Sequence, residues 1–130
     1  MADLFISYAR SDRDKVAQLA ARLEGQGVAT WWDRRLVGGD DFAALIEQEL
    51  DAAQAVVVVW TQAGIKSHWV RDEASFAARA GKLIAISLDG TAPPMGFGQF
   101  HSIDFSSWNG AGDDLPMQEL LRAIAARTSA

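Results

Sequence analysis

A three-layer α/β fold, with a parallel sheet between two layers of helices, is what this sequence predicts. Three observations lead there. Ala55-Val56-Val57-Val58-Val59-Trp60 is apolar at every position, the pattern of a strand buried on both faces. A second apolar run, Lys82 to Leu88, follows after a segment long enough for a crossover helix, which parallel neighbours require. The segments between such runs space their apolar residues three and four apart, the helical period.

Taken in order, Asp3-Leu4-Phe5-Ile6-Ser7-Tyr8 is short, apolar and aromatic and reads as a first strand. Ser11 to Asp14 supplies capping groups, and Val16, Leu19, Ala20 and Leu23 follow at helical spacing up to Gly25 and Gly27. Val28 to Trp32 is a second strand, whose adjacent Trp31 and Trp32 must point to opposite faces; the outward one would offer an exposed aromatic contact. Asp33 to Asp40 is a loop carrying Arg34, Arg35 and Gly38-Gly39. A second helix starts near Asp40 or Asp41, with Phe42, Leu45, Ile46, Leu50 and Ala53 on one side. The valine strand comes next. Ser67 then caps a third helix that runs to Gly81, a natural stop.

Lys82 to Leu88 is the fourth strand, and Asp89 to Gln99 is a Gly/Pro-rich loop with Pro93-Pro94. His101 to Phe105 is a shorter fifth strand at an edge. Pro116 fits the first turn of a last helix, with Met117, Leu120, Leu121 and Ile124 as its buried stripe. Five strands joined in this way imply right-handed crossovers. The leading arrangement is a flavodoxin-like α/β/α sandwich with a five-stranded parallel sheet of order 2-1-3-4-5. Its switch point lies between the ends of the first and third strands. That brings the loop Ser7 to Ser11 beside the loop Trp60 to Ser67. No repeat or linker interrupts the chain, so residues 1–130 read as one domain, which could be a module of a longer protein.

Composition removes several classes of function. The sequence contains no cysteine, so a disulfide framework, a cysteine nucleophile and cysteine metal ligation are excluded. His68 and His101 are far apart and give little for a metal; both are read as idle surface residues, and neither metal nor cofactor is expected. The net charge of −5 argues against a nucleic-acid backbone binder. No basic-then-apolar leader opens the chain, and no apolar run nears the roughly 18 residues of a membrane span. A cytoplasmic domain with no membrane partner is the expectation.

The informative stretch is Ser67-His68-Trp69-Val70-Arg71-Asp72-Glu73. Trp69 and Glu73 are four apart, so on a helix they share a face. They stand in the first turns after a core strand's carboxyl end, the edge where open α/β sheets bind ligands. The plain alternative is a solvated Glu73 and a Trp69 that packs on the sheet. Asp72, about 100° round the helix from Glu73, is expected to face solvent. Familiar occupants of this topology lack their residues here. A phosphoacceptor receiver needs acids where the strand ends read Ser7-Tyr8 and Val59-Trp60-Thr61. A flavin mononucleotide site needs a small, hydroxyl-rich loop where Tyr8-Ala9-Arg10-Ser11-Asp12 stands. Neither a dinucleotide fingerprint nor a P-loop nor a GxSxG elbow is present.

Two stretches carry a family resemblance. Asp3-Leu4-Phe5-Ile6-Ser7-Tyr8 with its charged loop resembles the first signature box of Toll/interleukin-1 receptor (TIR) domains. Ser67-x-Trp69-Val70-x-x-Glu73-x-x-x-Ala77 is similar to the third-helix motif of bacterial and plant TIR domains that cleave NAD, and Trp69-x-x-x-Glu73 matches their WxxxE pattern. The resemblance extends over nearly the whole chain. It departs at Asp33 to Asp40, which lacks the proline common in animal signalling members, and near Phe105 and Trp108, a loose echo of the last box.

The resemblance implies an NAD hydrolase or cyclase acting at the nicotinamide–ribose bond, with NAD as substrate and with activation by homotypic TIR–TIR association. It also implies a setting in bacterial signalling or antiviral defence. Nicotinamide leaves as a neutral molecule from a cationic pyridinium, so a single carboxylate suffices, without the acid–base pair of ordinary glycoside hydrolysis. Glu73 fits that role as catalytic residue, stabilising charge on the sugar, with Trp69 walling the site. Tyr8, Ala9 and Arg10 would contact ribose or diphosphate. Arg34 and Arg35 would reach the diphosphate or stand as solvated loop charges. Ser67 is a cap that could also touch substrate. A reading from another class is a non-catalytic module working by TIR–TIR association alone.

Overall fold

The valine-rich stretch forms β3 (Ala55–Trp60), all six residues of which are buried. It is central: strands pair with both of its edges and helices cover both of its faces. The computed structural model describes residues 3–32, 42–108 and 115–128, and the side chains of residues 42 and 43 fall outside that description. β1 (Leu4–Ser7) and β4 (Leu83–Ser87) flank β3, while β2 (Thr30–Trp31) and β5 (Ser102–Asp104) form the edges, in the order 2-1-3-4-5. Each neighbouring pair is parallel, with Ile6 opposite Val57 and Val57 opposite Ile84.

Helices α1 (Arg13–Gly25), α2 (Phe42–Ala52), α3 (His68–Arg79) and α4 (Leu115–Thr128) cover the sheet. Strand alternation divides the core in two. Leu4, Ile6, Val57, Val59 and Ile86 pack with Val16, Leu19 and Leu23 of α1 and with Met117, Leu120 and Ile124 of α4. Phe5, Val56, Val58 and Trp60 pack on the other face with Ile46 and Leu50 of α2 and with Val70, Ala74 and Ala77 of α3. Each fully buried aliphatic side chain contributes about 1.5–3 kcal/mol, so both helical layers are held by their apolar stripes. This is the flavodoxin-like α/β/α sandwich expected from the sequence.

Two details differ from the sequence reading. β2 is only two residues long, because Val28 and Ala29 are spent on the approach, where the Val28 N–H donates to Leu23 O and the Ala29 carbonyl accepts from Asp3 and Leu4. Neither Trp31 nor Trp32 is an exposed outward contact; both are half-buried. Trp31 stacks on Phe5 at 5.1 Å, while Trp32 packs against Tyr8 and under the Arg13 guanidinium. The crossover from β4 to β5 contains no helix, in agreement with the loop read from the sequence: Pro93-Pro94 interrupts it, and Gly90 and Gly96 take positive φ angles of 82° and 99°.

Two local devices hold the α2/α3 side. Lys82, at the foot of β4, turns its ammonium onto the end of α2, donating to the carbonyls of Leu50 and Asp51 in its last turn and of Ala53 just beyond, at 2.9, 3.0 and 2.8 Å. These carbonyls have no partner inside the helix, and a lysine there also complements the helix dipole. Loss of water around it lowers the Lys82 pKa, and the nearby Asp51 opposes that shift.

After β3 the chain makes a single 3₁₀ turn, Gly64–Lys66. A Cβ on Gly64 would lie 2.6 Å from the carbonyl oxygen of Val59, a backbone atom that cannot move without β3. Gly64→Ala is therefore expected to destabilise the fold by about 2 kcal/mol, measured as a lower urea midpoint at unchanged slope.

Candidate active site

The carboxyl end of β1 and the first turns of α3 meet inside the protein. Alternation along β1 sends Leu4 and Ile6 to the α1 side and Phe5 to the α3 side, and Ser7 follows Phe5. Ser67 starts α3 by accepting the Val70 N–H on its hydroxyl at 3.2 Å. From that cap, Val70, Glu73, Ala74 and Ala77 form the buried face of the helix. Glu73 is thus the acidic member of an otherwise apolar stripe. Ser7 Oγ donates to Glu73 Oε1 at 2.7 Å, with Ser7 0% and Glu73 5% exposed. A carboxylate taken this far from water is costly unless hydrogen-bonded, and Ser7 supplies a direct donor.

Glu73 also borders a groove of about 650 Å³ between α2 and α3. Its walls include Ile46, Leu50, Trp69 and Phe76, with Glu47, Asp51 and Asp72 adding acidic groups. Trp69 is 39% exposed, one of the few large apolar side chains left open to solvent. The groove therefore has an aromatic wall, an acidic lining and a buried carboxylate, a combination suited to a flat cationic ring. Among the described residues, no three histidine or acidic side chains converge as a metal site.

Hydrogen bonds brace the loops around this edge. Thr61, 3% exposed, donates from Oγ1 to Asp12 Oδ2 at 2.5 Å and accepts the Gly64 N–H at 2.9 Å. The loop after β1 is thereby tied to the loop after β3. Asp89, just after β4, accepts the Gln62 N–H at 3.0 Å and the Thr91 N–H at 3.0 Å. Burial works to raise the Asp89 pKa, but the hydrogen bonds from Thr91 and Gln62 outweigh it and hold the carboxyl below its ordinary value.

The candidate residues fall into distinct groups. Glu73 and Trp69 share the groove. Ser67 lies at the start of the same helix as its cap. Tyr8 is buried in the core on the α1 side, against Trp32, so its ring is on the opposite face of the sheet from Glu73. Ala9 is buried, and its carbonyl accepts the Asp12 N–H in the 3₁₀ turn Arg10–Asp12. Arg10 is exposed. Arg34 and Arg35 lie outside the described residues. Asp72 and His68 are exposed, and His101 pairs with Glu119 at the surface at 2.6 Å. Sequence reasoning missed Ser7 as the partner of Glu73. The signal was available, since strand alternation puts Ser7, not Tyr8, on the face that α3 covers.

These features are those of a TIR domain, and the comparisons agree. A family model described as the TIR domain matches residues 4–121, and the chain belongs to that family. Its fold is similar to the crystal structure of the TIR domain of the Toll-related receptor TRR-2 from Hydra magnipapillata. The TM-score is 0.83 at 21% identity, over 95% of this chain and 98% of that one. A search of curated proteins gives no match. TIR domains serve in signalling and interaction, generally associate with one another, and include some members that cleave NAD. No helix among the described residues is long and apolar enough to cross a membrane.

Two predictions follow from this geometry. Ser7→Ala removes a donor from a buried carboxylate and should cost about 2 kcal/mol. In a double-mutant cycle with Glu73→Met, which removes the acceptor, the coupling should be clearly non-zero by urea unfolding. Because the folded Asp89 pKa is depressed, its bonds contribute stability above the unfolded value and lose it as pH falls through the folded value. Asp89→Asn should therefore lose stability less steeply than wild type below about pH 4, read from unfolding midpoints across an acid series.

Proposed function

We propose that this TIR domain is of the bacterial NAD-cleaving type, an NAD hydrolase or cyclase that breaks the bond between nicotinamide and ribose. The observation that carries the reading is Glu73, a carboxylate 5% exposed, held by Ser7 and bordering the aromatic groove of Trp69. An interaction module gains nothing from burying an acid there. A glycosyl-transfer site gains a fixed negative charge, already oriented, against which positive charge on the ribose can develop.

The proposed reaction balances with few groups. The bond from ribose C1′ to the pyridinium nitrogen breaks, and its electron pair leaves with nicotinamide, which becomes neutral. Water, or a nucleophile within the same molecule, forms the new bond at C1′ and loses a proton. Glu73 would hold the ribose hydroxyls and stabilise the sugar cation; Trp69 would stack on or confine the nicotinamide ring. The acidic lining of Glu47, Asp51 and Asp72 suits the pyridinium and disfavours the diphosphate. The diphosphate is accordingly assigned outside the groove, to Arg10, Arg34 and Arg35, with Tyr8 and Ala9 contributing backbone rather than ring contacts. Ser67 would act first as the cap that aims the helix.

In this proposal residues 1–130 form one cytoplasmic TIR domain, activated when copies associate, in bacterial signalling or antiviral defence. The test is chromatographic analysis of products after incubating concentrated protein, or the protein fused to its natural activating domain, with NAD. Wild type should release nicotinamide. Glu73→Gln, which still accepts the Ser7 hydrogen bond, should lower that release about a hundredfold or more with an unchanged thermal midpoint. Wild-type turnover in the Gln variant would remove Glu73 from the mechanism. Absence of nicotinamide under every associating condition would leave the non-catalytic association module as the function.

A further inference from the structure

The crossover from β4 to β5 brings no helix onto the sheet, and loop residues roof it there instead. Phe97 joins the buried cluster on the α3 side, and Phe100 packs against that cluster. Between this loop and α3 lies a surface hollow of about 660 Å³, within the range of small-molecule sites. Its α3 wall carries Arg71, Ser75 and Arg79, which recur every fourth residue on one face. The two arginines stand roughly 12 Å apart along the helix axis, with Ser75 midway. Both are exposed, and neither forms an ion pair with another described residue. Asp72 also borders the hollow, so the rim sets one acid against two guanidiniums. The opposite wall is aromatic, formed by Phe97 and Phe100.

The sheet beneath that loop carries polar groups. Trp60 packs on Phe97 with ring centroids 5.2 Å apart, yet its buried indole N–H has no hydrogen-bond partner among the described residues. Ser87, 4% exposed, lies beside Trp60 across β3 and β4, and its Oγ has no partner among them either. The same holds for the Oγ of Ser102 in β5, opposite Ala85. Ile84, Ile86 and Ile103 face α1 and α4, so alternation turns Ser87 and Ser102 to the side of Trp60 and Phe97. Three adjacent strands thus bring such atoms to one patch of sheet, and each costs stability unless a partner reaches it. We propose that the hollow and this patch together bind a nucleoside monophosphate. Arg71 and Arg79 converge on its phosphate above Ser75. Phe97 stands between the hollow and Trp60, flanked by Gly96, at a φ of 99°, and Gly98, so its turn can swing the ring aside. The base takes the place of that ring on Trp60 and offers its heteroatoms to the indole N–H and the Ser87 hydroxyl. An inorganic anion would use the arginines and leave the aromatic wall and the patch idle. A lipid tail would cover the patch without pairing it. The site lies across α3 from the Glu73 groove, and its case does not rest on the function proposed above.

Isothermal titration calorimetry with AMP, GMP, CMP and UMP, and with inorganic phosphate alone, tests the site without reference to activity. At least one nucleotide should bind about tenfold or more tighter than phosphate, and more weakly as salt rises. Arg71→Ala with Arg79→Ala should weaken that binding about tenfold or more, and Ser87→Ala, which keeps the packing, about fivefold or more. Circular-dichroism melts verify that both variants fold. Trp69→Ala, in the other groove, should leave the affinity unchanged. Absence of binding at millimolar nucleotide overturns the proposal, as does phosphate binding as tightly as every nucleotide. So does affinity indifferent to the arginine pair or to Ser87, or affinity lost in Trp69→Ala, which would place the nucleotide in the Glu73 groove instead.

Discussion

The fold depends on β3 having no face to give to solvent. Each of its six residues is buried, so both surfaces must be roofed and both edges must be paired. Helices α1 and α4 supply one roof, α2 and α3 the other. Parallel pairing on both edges then obliges the chain to return across the sheet between strands. All the loops that follow strands consequently collect at one rim. The Thr61 bridge from the β3 loop to Asp12 and the Asp89 clasp on Gln62 lie there. The position of the candidate site is a by-product of that burial.

The same constraint explains why an acid is found inside. A helix laid over β1 and β3 presents a stripe three to four residues apart to the sheet. Val70, Ala74 and Ala77 fill it with aliphatic groups, but Glu73 occupies the position above the end of β1. An acid there carries a desolvation cost that a leucine would not. Ser7 reduces the cost through one hydrogen bond of 2.7 Å. A protein selected only for packing has no reason to keep that arrangement. This is the physical content of the case for chemistry at Glu73.

Much of this was legible in the sequence, for reasons tied to particular elements. β3 and β4 announce themselves by unbroken apolar runs, and α3 by the Ser67 cap and by Gly81, whose φ of 74° ends it as expected. Strand order followed from chirality and strand number rather than from any residue. Legibility failed where contacts are long-range. The pairing of Ser7 with Glu73 spans 66 positions; alternation along β1 gives Ser7 its face, but no local pattern names its partner. Tyr8 looked like a site residue because it ends the first strand, yet its parity sends the ring to the α1 core. Trp31 and Trp32 each found cover, against Phe5 and against Tyr8 with Arg13, which period-two reasoning alone does not reveal. The long Gly/Pro segment before β5 carried no helical period, and no helix formed there.

One feature of the α2 wall reaches further than its size suggests. The donor for two terminal carbonyls of α2 and for that of Ala53 just beyond it comes from Lys82, a residue that enters only after β3 and α3 have been traversed. Nascent chain ending before position 82 therefore lacks the group that closes that helix. The outer bank of the acidic groove is finished late in synthesis, when the fourth strand takes its place. Severing the polypeptide between α2 and β4, or permuting its ends there, would turn an internal clasp into an association between separate segments. The groove would then be only as firm as that reunion.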